Sequence, residues 1–316
     1  MAYSKKTRKY LLIFLFIGWG ITLAYKHYWP QINKQTEKLY RDNRILMGTF
    51  WEVTSPDKTA GKIVFTEVDR LDQLLSKYIP TSEVSILNHT GKLKVSSDTF
   101  YIIKKSKEFY QLTDGAFDIT VAPLVDLWGF SDLKTKVPTL DEINSTLKII
   151  GSDKIILQEN DSVVEFKLPK MKIDLGGIAK GYALDCAVKK LKEHKINSCL
   201  INAGGQVYAL GNKFNSPWKI GIKNPRKPGV SQTLELKNQS VSTSGDYEQF
   251  FLKDGVRYCH IINPKTGYPA DTLVASVTII AGQGLTADAL STALFILEET
   301  KSKELLKKFN AEKKQF

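Results

Sequence analysis

Asp288 and Thr292 stand four residues apart in the run Thr286-Ala287-Asp288-Ala289-Leu290-Ser291-Thr292. On a helix that spacing puts a carboxylate and a hydroxyl on one face. Beside a phosphate, such a pair makes part of a Mg²⁺ shell, completed by phosphate oxygens and water. The plainer alternative is Asp288 as a helix cap. His260 is the histidine best placed for general-base work, because it ends an apolar run and enters the turn Asn263-Pro264-Lys265-Thr266-Gly267. His27 falls in a polar stretch near the N-terminus, and His89 and His194 read as surface residues. A structural role for His260 is the competing reading.

Three more clusters have the composition of ligand approaches or tight turns. In Lys172-Ile173-Asp174-Leu175-Gly176-Gly177-Ile178-Ala179-Lys180-Gly181, a strand is expected to end at the glycines and a helix to follow. Free amides at a helix start suit phosphates, and Lys180 adds positive charge. The order G-x-x-x-x-G-K-[ST] is absent, so this is not a P-loop. Ser242-Thr243-Ser244-Gly245-Asp246-Tyr247 reads as a hydroxyl-rich turn. Asp114-Gly115-Ala116-Phe117-Asp118, leading into Pro123 and Trp128-Gly129, brings acidic and aromatic groups into one loop. They suit a ring system, or ordinary packing.

The elements that must position these residues are mixed. Val64, Val68, Leu71 and Leu75 recur at helical spacing over Lys62–Ser76, and Thr99–Leu112 repeats the pattern. Thr139-Leu140-Asp141-Glu142 is a capping box opening a third helix. Lys154–Leu157 and Val163–Leu168 flank a polar turn and predict a hairpin. Ile178–Glu193, Thr286–Leu297 and Lys303–Phe309 predict helices; Cys199–Asn202, Trp218–Ile222, Val256–Ile262 and Val274–Ile280 predict strands. Strand runs outnumber strict strand-helix alternation. The expected class is therefore α+β, with mixed, largely antiparallel sheets and packed helices, and not a doubly wound sheet.

The 316-residue chain is long enough for a full core, and 42% hydrophobic with 25% charged residues is ordinary globular composition. The net charge is +12, crowded at Lys5, Lys6, Arg8 and Lys9 and again among the lysines after Lys301. No zinc-finger spacing or RNA-binding signature accompanies it, so the C-terminal lysines read as a solvated helix face and nucleic acid is not expected as a partner. Cys186, Cys199 and Cys259 are too far apart for a Cys-x-x-Cys site, and the fold is not expected to rest on disulfides. Residues 1–25 read as an N-terminal signal-anchor, with a basic start and then the apolar run Leu11–Ala24; a signal cleaved after Thr22-Leu23-Ala24 is the alternative. The positive-inside rule puts the chain beyond that run on the extracytoplasmic side of the cytoplasmic membrane, tethered to the bilayer. Residues 26–44 read as a polar tether and residues 45–316 as one catalytic domain.

Taken in order, the motifs resemble the FAD:protein FMN transferases, the ApbE family. The resemblance rests on Met47-Gly48-Thr49, Ser76-Lys77-Tyr78, Ser82-Glu83, Gly115-Ala116-Phe117-Asp118 and Asp174-Leu175-Gly176-Gly177-Ile178-Ala179-Lys180-Gly181. It continues in Asn202-Ala203-Gly204-Gly205, Thr243-Ser244-Gly245, His260-Ile261-Ile262-Asn263-Pro264 and Ala287-Asp288-Ala289 with Thr292. It implies transfer of FMN from FAD to a Thr or Ser of an acceptor protein, with release of AMP and Mg²⁺ as cofactor. By resemblance Met47, Tyr78, Ala116, Phe117, Asp118, Asp174, Lys180 and Ile262 match flavin- or nucleotide-contacting positions, and Thr243 and Ser244 join them. Asp288 and Thr292 match metal-binding positions, and Gly177 one that could offer its carbonyl oxygen. Three positions depart from common forms of the pattern: Ser291 stands where some relatives carry Asp, Asn263 replaces an Asp, and Lys180 is Glu in some members. The implied acceptors are subunits of membrane redox complexes and other exported flavoproteins. An FAD pyrophosphatase, a flavin carrier and a tethered interaction protein are the alternatives.

Overall fold

The computed structural model describes residues 38–132, 134–270 and 274–316. The expected anchor over 1–25, and the tether as far as residue 37, lie outside the described residues. Among the described residues, no helix is long and apolar enough to cross a membrane. One compact unit runs from Tyr40 to Phe316.

A seven-stranded antiparallel sheet is the frame. Its strands are β1 (Tyr40–Leu46), β2 (Thr49–Ser55), β6 (Cys199–Ala203), β7 (Gln206–Leu210), β10 (Gln239–Gly245), β13 (Ser276–Ala281) and β14 (Glu312–Gln315), hydrogen-bonded in that spatial order. Three smaller units attach to it. They are the sheet β3 (Lys92–Lys94), β5 (Val163–Phe166), β4 (Ile155–Gln158), the hairpin β8 (Trp218–Lys223) with β9 (Val230–Leu236), and the hairpin β11 (Phe250–Lys253) with β12 (Val256–Cys259). The mixed α+β, antiparallel expectation holds.

The helices follow the apolar spacing closely. Helix α1 (Ala60–Leu75) buries Val64, Val68, Leu71 and Leu75. Short helix α2 (Glu83–Thr90) is capped by Ser82, and α3 (Ser97–Leu112) by Ser96, each side chain accepting from the amide three residues on. A short helix α4 (Ala122–Leu127) precedes α5 (Leu140–Leu147), where the Thr139/Glu142 capping box forms as predicted. Helices α6 (Ala179–Glu193), α7 (Gly284–Leu294) and α8 (Glu299–Phe309) complete the set. The main core lies between one face of the large sheet and α1, α6 and α7, with Trp51, Val53, Ile201, Ala187 and Leu290 fully or almost fully buried.

Four expectations need correction. Residues 40–44, expected as tether, belong to the large sheet, because Tyr40–Leu46 pairs with β2. Arg41, Asp42, Asn43 and Arg44 read as tether since they sit exposed on an edge strand, where charge is the usual guard against further pairing. Ser242–Tyr247 is no turn as far as Gly245: it belongs to β10, inside the sheet. Its hydroxyls mimic a loop composition but have fixed partners, as does Ser240 earlier in the strand, whose Oγ donates to the Val207 carbonyl at 2.8 Å. No strand precedes the Asp174 loop; Asn88 clamps both backbone groups of Ile173 at 2.7 and 2.9 Å instead. The strand expected over Val256–Ile262 stops at Cys259, and Ile262 keeps one bridge, to Pro269. All three cysteines are free thiols.

Candidate active site

One cavity of about 470 Å³ opens at the end of the large sheet, and every candidate site residue lines it. Met47, Tyr78, Ala116, Phe117 and Asp118 come from loops; Asp174, Gly177 and Lys180 from the approach to α6 and its first turn; Thr243 and Ser244 from β10. His260 and Ile262 follow β12, and Asp288 and Thr292 project from α7.

The deep end is built by the crossing of α6 and α7. Gly181 and Gly284 meet there backbone to backbone. A Cβ on Gly181 would lie 2.2 Å from the Gly284 carbonyl oxygen, and one on Gly284 would lie 2.4 Å from that of Gly181. Only glycine permits this approach. The two helices also cap each other. Asp185 of α6 accepts from the amides of Gly284 (2.6 Å) and Leu285 (2.9 Å), the first of α7. Asp288 of α7 accepts through Oδ2 from the Gly181 amide, in the first turn of α6, at 2.9 Å. Each satisfies amides that a helix leaves unpaired at its start. Asp288 is therefore a cap, but of a neighbouring helix, while its own position is in the second turn of α7.

Asp288 is 2% exposed. Its Oδ1 accepts from Gln206 Nε2 and, at 3.5 Å, from Ser242 Oγ. Burial pushes its carboxyl above the usual carboxylate range, against the pull of Lys180 and the hydrogen bonds. Ser291 Oγ lies 3.1 Å from Ser242 Oγ and 2.9 Å from Ser244 Oγ, and Ser244 Oγ lies 3.4 Å from Thr292 Oγ1. Gly177 packs tightly here, since a Cβ on it would stand 3.2 Å from Thr292 Oγ1 and 3.3 Å from the Phe117 ring. Gln206 Oε1 is buried without a partner among the described residues.

This donor set fits a hard divalent cation. Asp288, Thr292 and the Gly177 carbonyl offer oxygen only, and Gln206, which bonds Asp288, carries the orphaned amide oxygen. Among the described residues no group of three His, Cys, Asp or Glu forms a metal cluster. The all-oxygen set of Asp288, Thr292 and Gly177 suits Mg²⁺, which takes few protein oxygens and draws the rest from phosphate and water.

The shallow end is looser. Tyr78 is 68% exposed. Lys77 Nζ stands 5.0 Å from the centre of its ring and pairs with Asp174 at 2.8 Å. Burial draws the Lys77 ammonium down, but Asp174 more than offsets it and the pKa is raised. Asp118 starts a single 3₁₀ turn: Oδ1 accepts from the Thr120 amide and from Ser152 Oγ, at 2.8 and 2.6 Å. Its Oδ2 is buried without a partner among the described residues, and burial raises its pKa. Met47 closes the β1–β2 turn with φ +49°, its amide held by Asp72 at 2.7 Å. Behind Ile262, Leu124, Trp128, Phe130 and Ile143 form a second small core, and the Trp128 indole N–H donates to the Gly267 carbonyl at 2.8 Å.

His260 is half-buried in the lining of the cavity. Its Nδ1 lies 3.2 Å from the Gln249 carbonyl oxygen, which can only accept, so Nδ1 carries the proton and Nε2 is left as an acceptor. Burial lowers its pKa from 6.5, as does nearby Lys180. Sequence reasoning assigns no role to Gln206, Lys77, Glu248 or Asp185. Lys77 lies inside the motif Ser76-Lys77-Tyr78 and Gln206 directly after Asn202-Ala203-Gly204-Gly205, whereas Asp185 has no local signal.

Fold and cavity define the class: an α+β protein with a sheet-end pocket, carboxylate and hydroxyls at one end and aromatics at the other. The chain belongs to the ApbE family, whose profile matches residues 47–314. A Haemophilus influenzae relative named FAD:protein FMN transferase is 35% identical over 248 residues, 75% of this chain and 72% of the relative. A Vibrio cholerae relative of the same name is 35% identical over 268 residues, 80% of each chain. Among solved structures, the ApbE protein of Thermotoga maritima superposes with a TM-score of 0.80 at 38% identity, covering 86% of this chain and 91% of that one. The flavin transferase ApbE from Vibrio cholerae gives 0.78 at 28% identity, covering 88% and 96%.

Proposed function

We propose that this protein transfers FMN from FAD to a Thr or Ser hydroxyl of another protein and releases AMP. The observation that carries the reading is the gathering of the candidate site residues, drawn from separate motifs, around one two-ended cavity. Phe117, Tyr78, Met47 and Ile262 offer the shallow end for the ring system, and the Asp118 acceptor offers a partner for a ring or base N–H. Lys180 and the start of α6 offer positive charge for the pyrophosphate. Asp288, Thr292 and the Gly177 carbonyl would hold Mg²⁺, which when bound neutralises charge on the pyrophosphate and the leaving oxygen. His260 Nε2 takes the proton of the attacking hydroxyl, and the Gln249 carbonyl keeps the ring in the tautomer that can do so.

The same reading extends to location. Residues 1–25 serve as an anchor in the cytoplasmic membrane, with the catalytic unit on its extracytoplasmic side, where exported flavoproteins and membrane redox subunits are its acceptors. The basic start and apolar run support this.

The test is to incubate the protein with FAD, Mg²⁺ and a candidate acceptor. A mass adduct of FMN on the acceptor, matched by AMP and lost on chelation with EDTA, is expected. Free FMN and AMP with no adduct would make the protein a pyrophosphatase.

A further inference from the structure

Four hydroxyls meet where β10 faces α7 at the deep end: Ser242 and Ser244 from the strand, Ser291 and Thr292 from the helix. Each has one proton to give and lone pairs that accept. Ser242 and Ser291 are buried and do not line the cavity, whereas Ser244 and Thr292 do. A ligand in the cavity meets the second pair; the first pair reaches it only through other side chains.

The direction of the bonds follows from one fixed point. Ser291 Oγ lies 2.9 Å from the backbone carbonyl oxygen of Asp288, three residues earlier on α7. A carbonyl only accepts, so the Ser291 proton is spent there. Ser291 Oγ is then an acceptor for its other neighbours, Ser244 Oγ at 2.9 Å and Ser242 Oγ at 3.1 Å. The Ser244 proton is spent on Ser291 in turn. At the longer contact of 3.4 Å between Ser244 Oγ and Thr292 Oγ1, the proton left to share is that of Thr292. A hydroxyl that binds a cation needs this arrangement: its lone pair goes to the ion and its proton to an acceptor behind it.

We propose that Ser291 and Ser244 are positioning residues for the divalent cation: they take up the Thr292 proton and leave Thr292 Oγ1 as a cation ligand. The inference rests on the metal reading of the deep end. Ser244 then acts on the cation through Thr292, and not on FAD by direct contact. The relay starts at one metal-site residue, Thr292, and ends on the backbone of the other, Asp288, so one line of hydrogen bonds ties the two together. The reverse order would set the Ser291 lone pairs against those of the Asp288 carbonyl at 2.9 Å.

The test uses the full chain loaded with FAD, with unbound FAD removed and no acceptor present. Mn²⁺ is the probe, titrated against loss of the free-ion EPR signal, and FAD affinity is measured separately in EDTA. Ser244→Ala and Ser291→Ala should each weaken Mn²⁺ binding about tenfold, the lower range for losing a group that orients a ligand. FAD affinity should match wild type in both. The decisive variant is Thr292→Val/Ser244→Ala. Because Ser244 acts through Thr292, the double change should bind Mn²⁺ no more weakly than Thr292→Val alone. Ser240→Ala removes a buried hydroxyl of the same strand, whose proton goes to the Val207 carbonyl, and should bind Mn²⁺ as wild type does. Wild-type Mn²⁺ affinity in Ser244→Ala, additive losses in the double variant, or an equal loss in Ser240→Ala would overturn the proposal. So would weaker FAD binding with Mn²⁺ affinity kept, which would mean that the relay runs the other way and Thr292 gives its proton to a phosphate. Circular dichroism reports whether Ser291→Ala folds, and Ser244→Ala, at the cavity wall, carries the test if it does not. No Mn²⁺ binding by the wild type would instead overturn the metal reading.

Discussion

The two ends of the cavity are built on opposite principles. At the deep end, two helices and a central strand lock Asp288, Ser242, Ser244, Ser291 and Thr292 into one hydrogen-bonded set. At the shallow end, loops carry an exposed Tyr78 and a Lys77–Asp174 pair that a ligand could rearrange. Groups that stabilise developing charge gain most from being fixed beforehand. Groups that recognise a large ring gain from being able to close on it. The difference teaches where rate and where affinity should respond to change.

The largest effect is expected at the deep end. Asp288→Ala should lower Mg²⁺-dependent transfer by about 10³-fold, the upper range for removing one preorganised electrostatic group. Circular dichroism and FAD titration should show the fold retained. Near wild-type turnover in Mg²⁺ would remove Asp288 from the metal set.

Next comes the helix crossing. Gly181→Ala should cost about 1–3 kcal/mol of stability through overpacking, since its Cβ would clash with the Gly284 backbone and not with a movable side chain. Thermal unfolding measures it, and an unshifted midpoint would mean the helices can slide apart freely.

The pH dependence gives a smaller, signed effect. The folded pKa of His260 lies below 6.5, so the unfolded chain holds its proton more tightly. Stability from this group is present above 6.5 and is lost as pH falls through the folded value. The base form follows the same course. The acid limb of the transfer rate should have its midpoint below 6.5, and a midpoint above it would exclude His260 as its source.

The smallest effect belongs to the shallow end. Tyr78→Ala should weaken FAD binding about fivefold, the scale of one aromatic contact, and leave the rate at saturating FAD nearly unchanged. A rate loss exceeding the affinity loss would erase the contrast between the ends.

Much of this site is legible in the sequence because its residues sit in short motifs with their own backbone demands. Asp288 and Thr292 share a face by spacing, and Gly176-Gly177 lead directly into α6. What stays hidden is the pairing that only tertiary contact creates. A hydroxyl-rich strand such as β10 reads as a turn, because loops and buried hydroxyl ladders have the same composition. Asp185 lies far from α7 in sequence, and its carboxyl, pushed up to about 6 by burial, reveals its cap only once the helices cross. The edge strand β1 reads as tether for the same reason that it is safe at an edge: its middle is charged and polar.

His260 lines the cavity, and the chemistry proposed for the site turns on it. The deciding measurement is single-turnover transfer at saturating FAD for His260→Ala, run beside an FAD titration of the same variant. A fall of about 10²–10⁴-fold in rate with affinity nearly kept is expected of a general base. A loss under about tenfold, or one fully explained by weaker FAD binding, would contradict it.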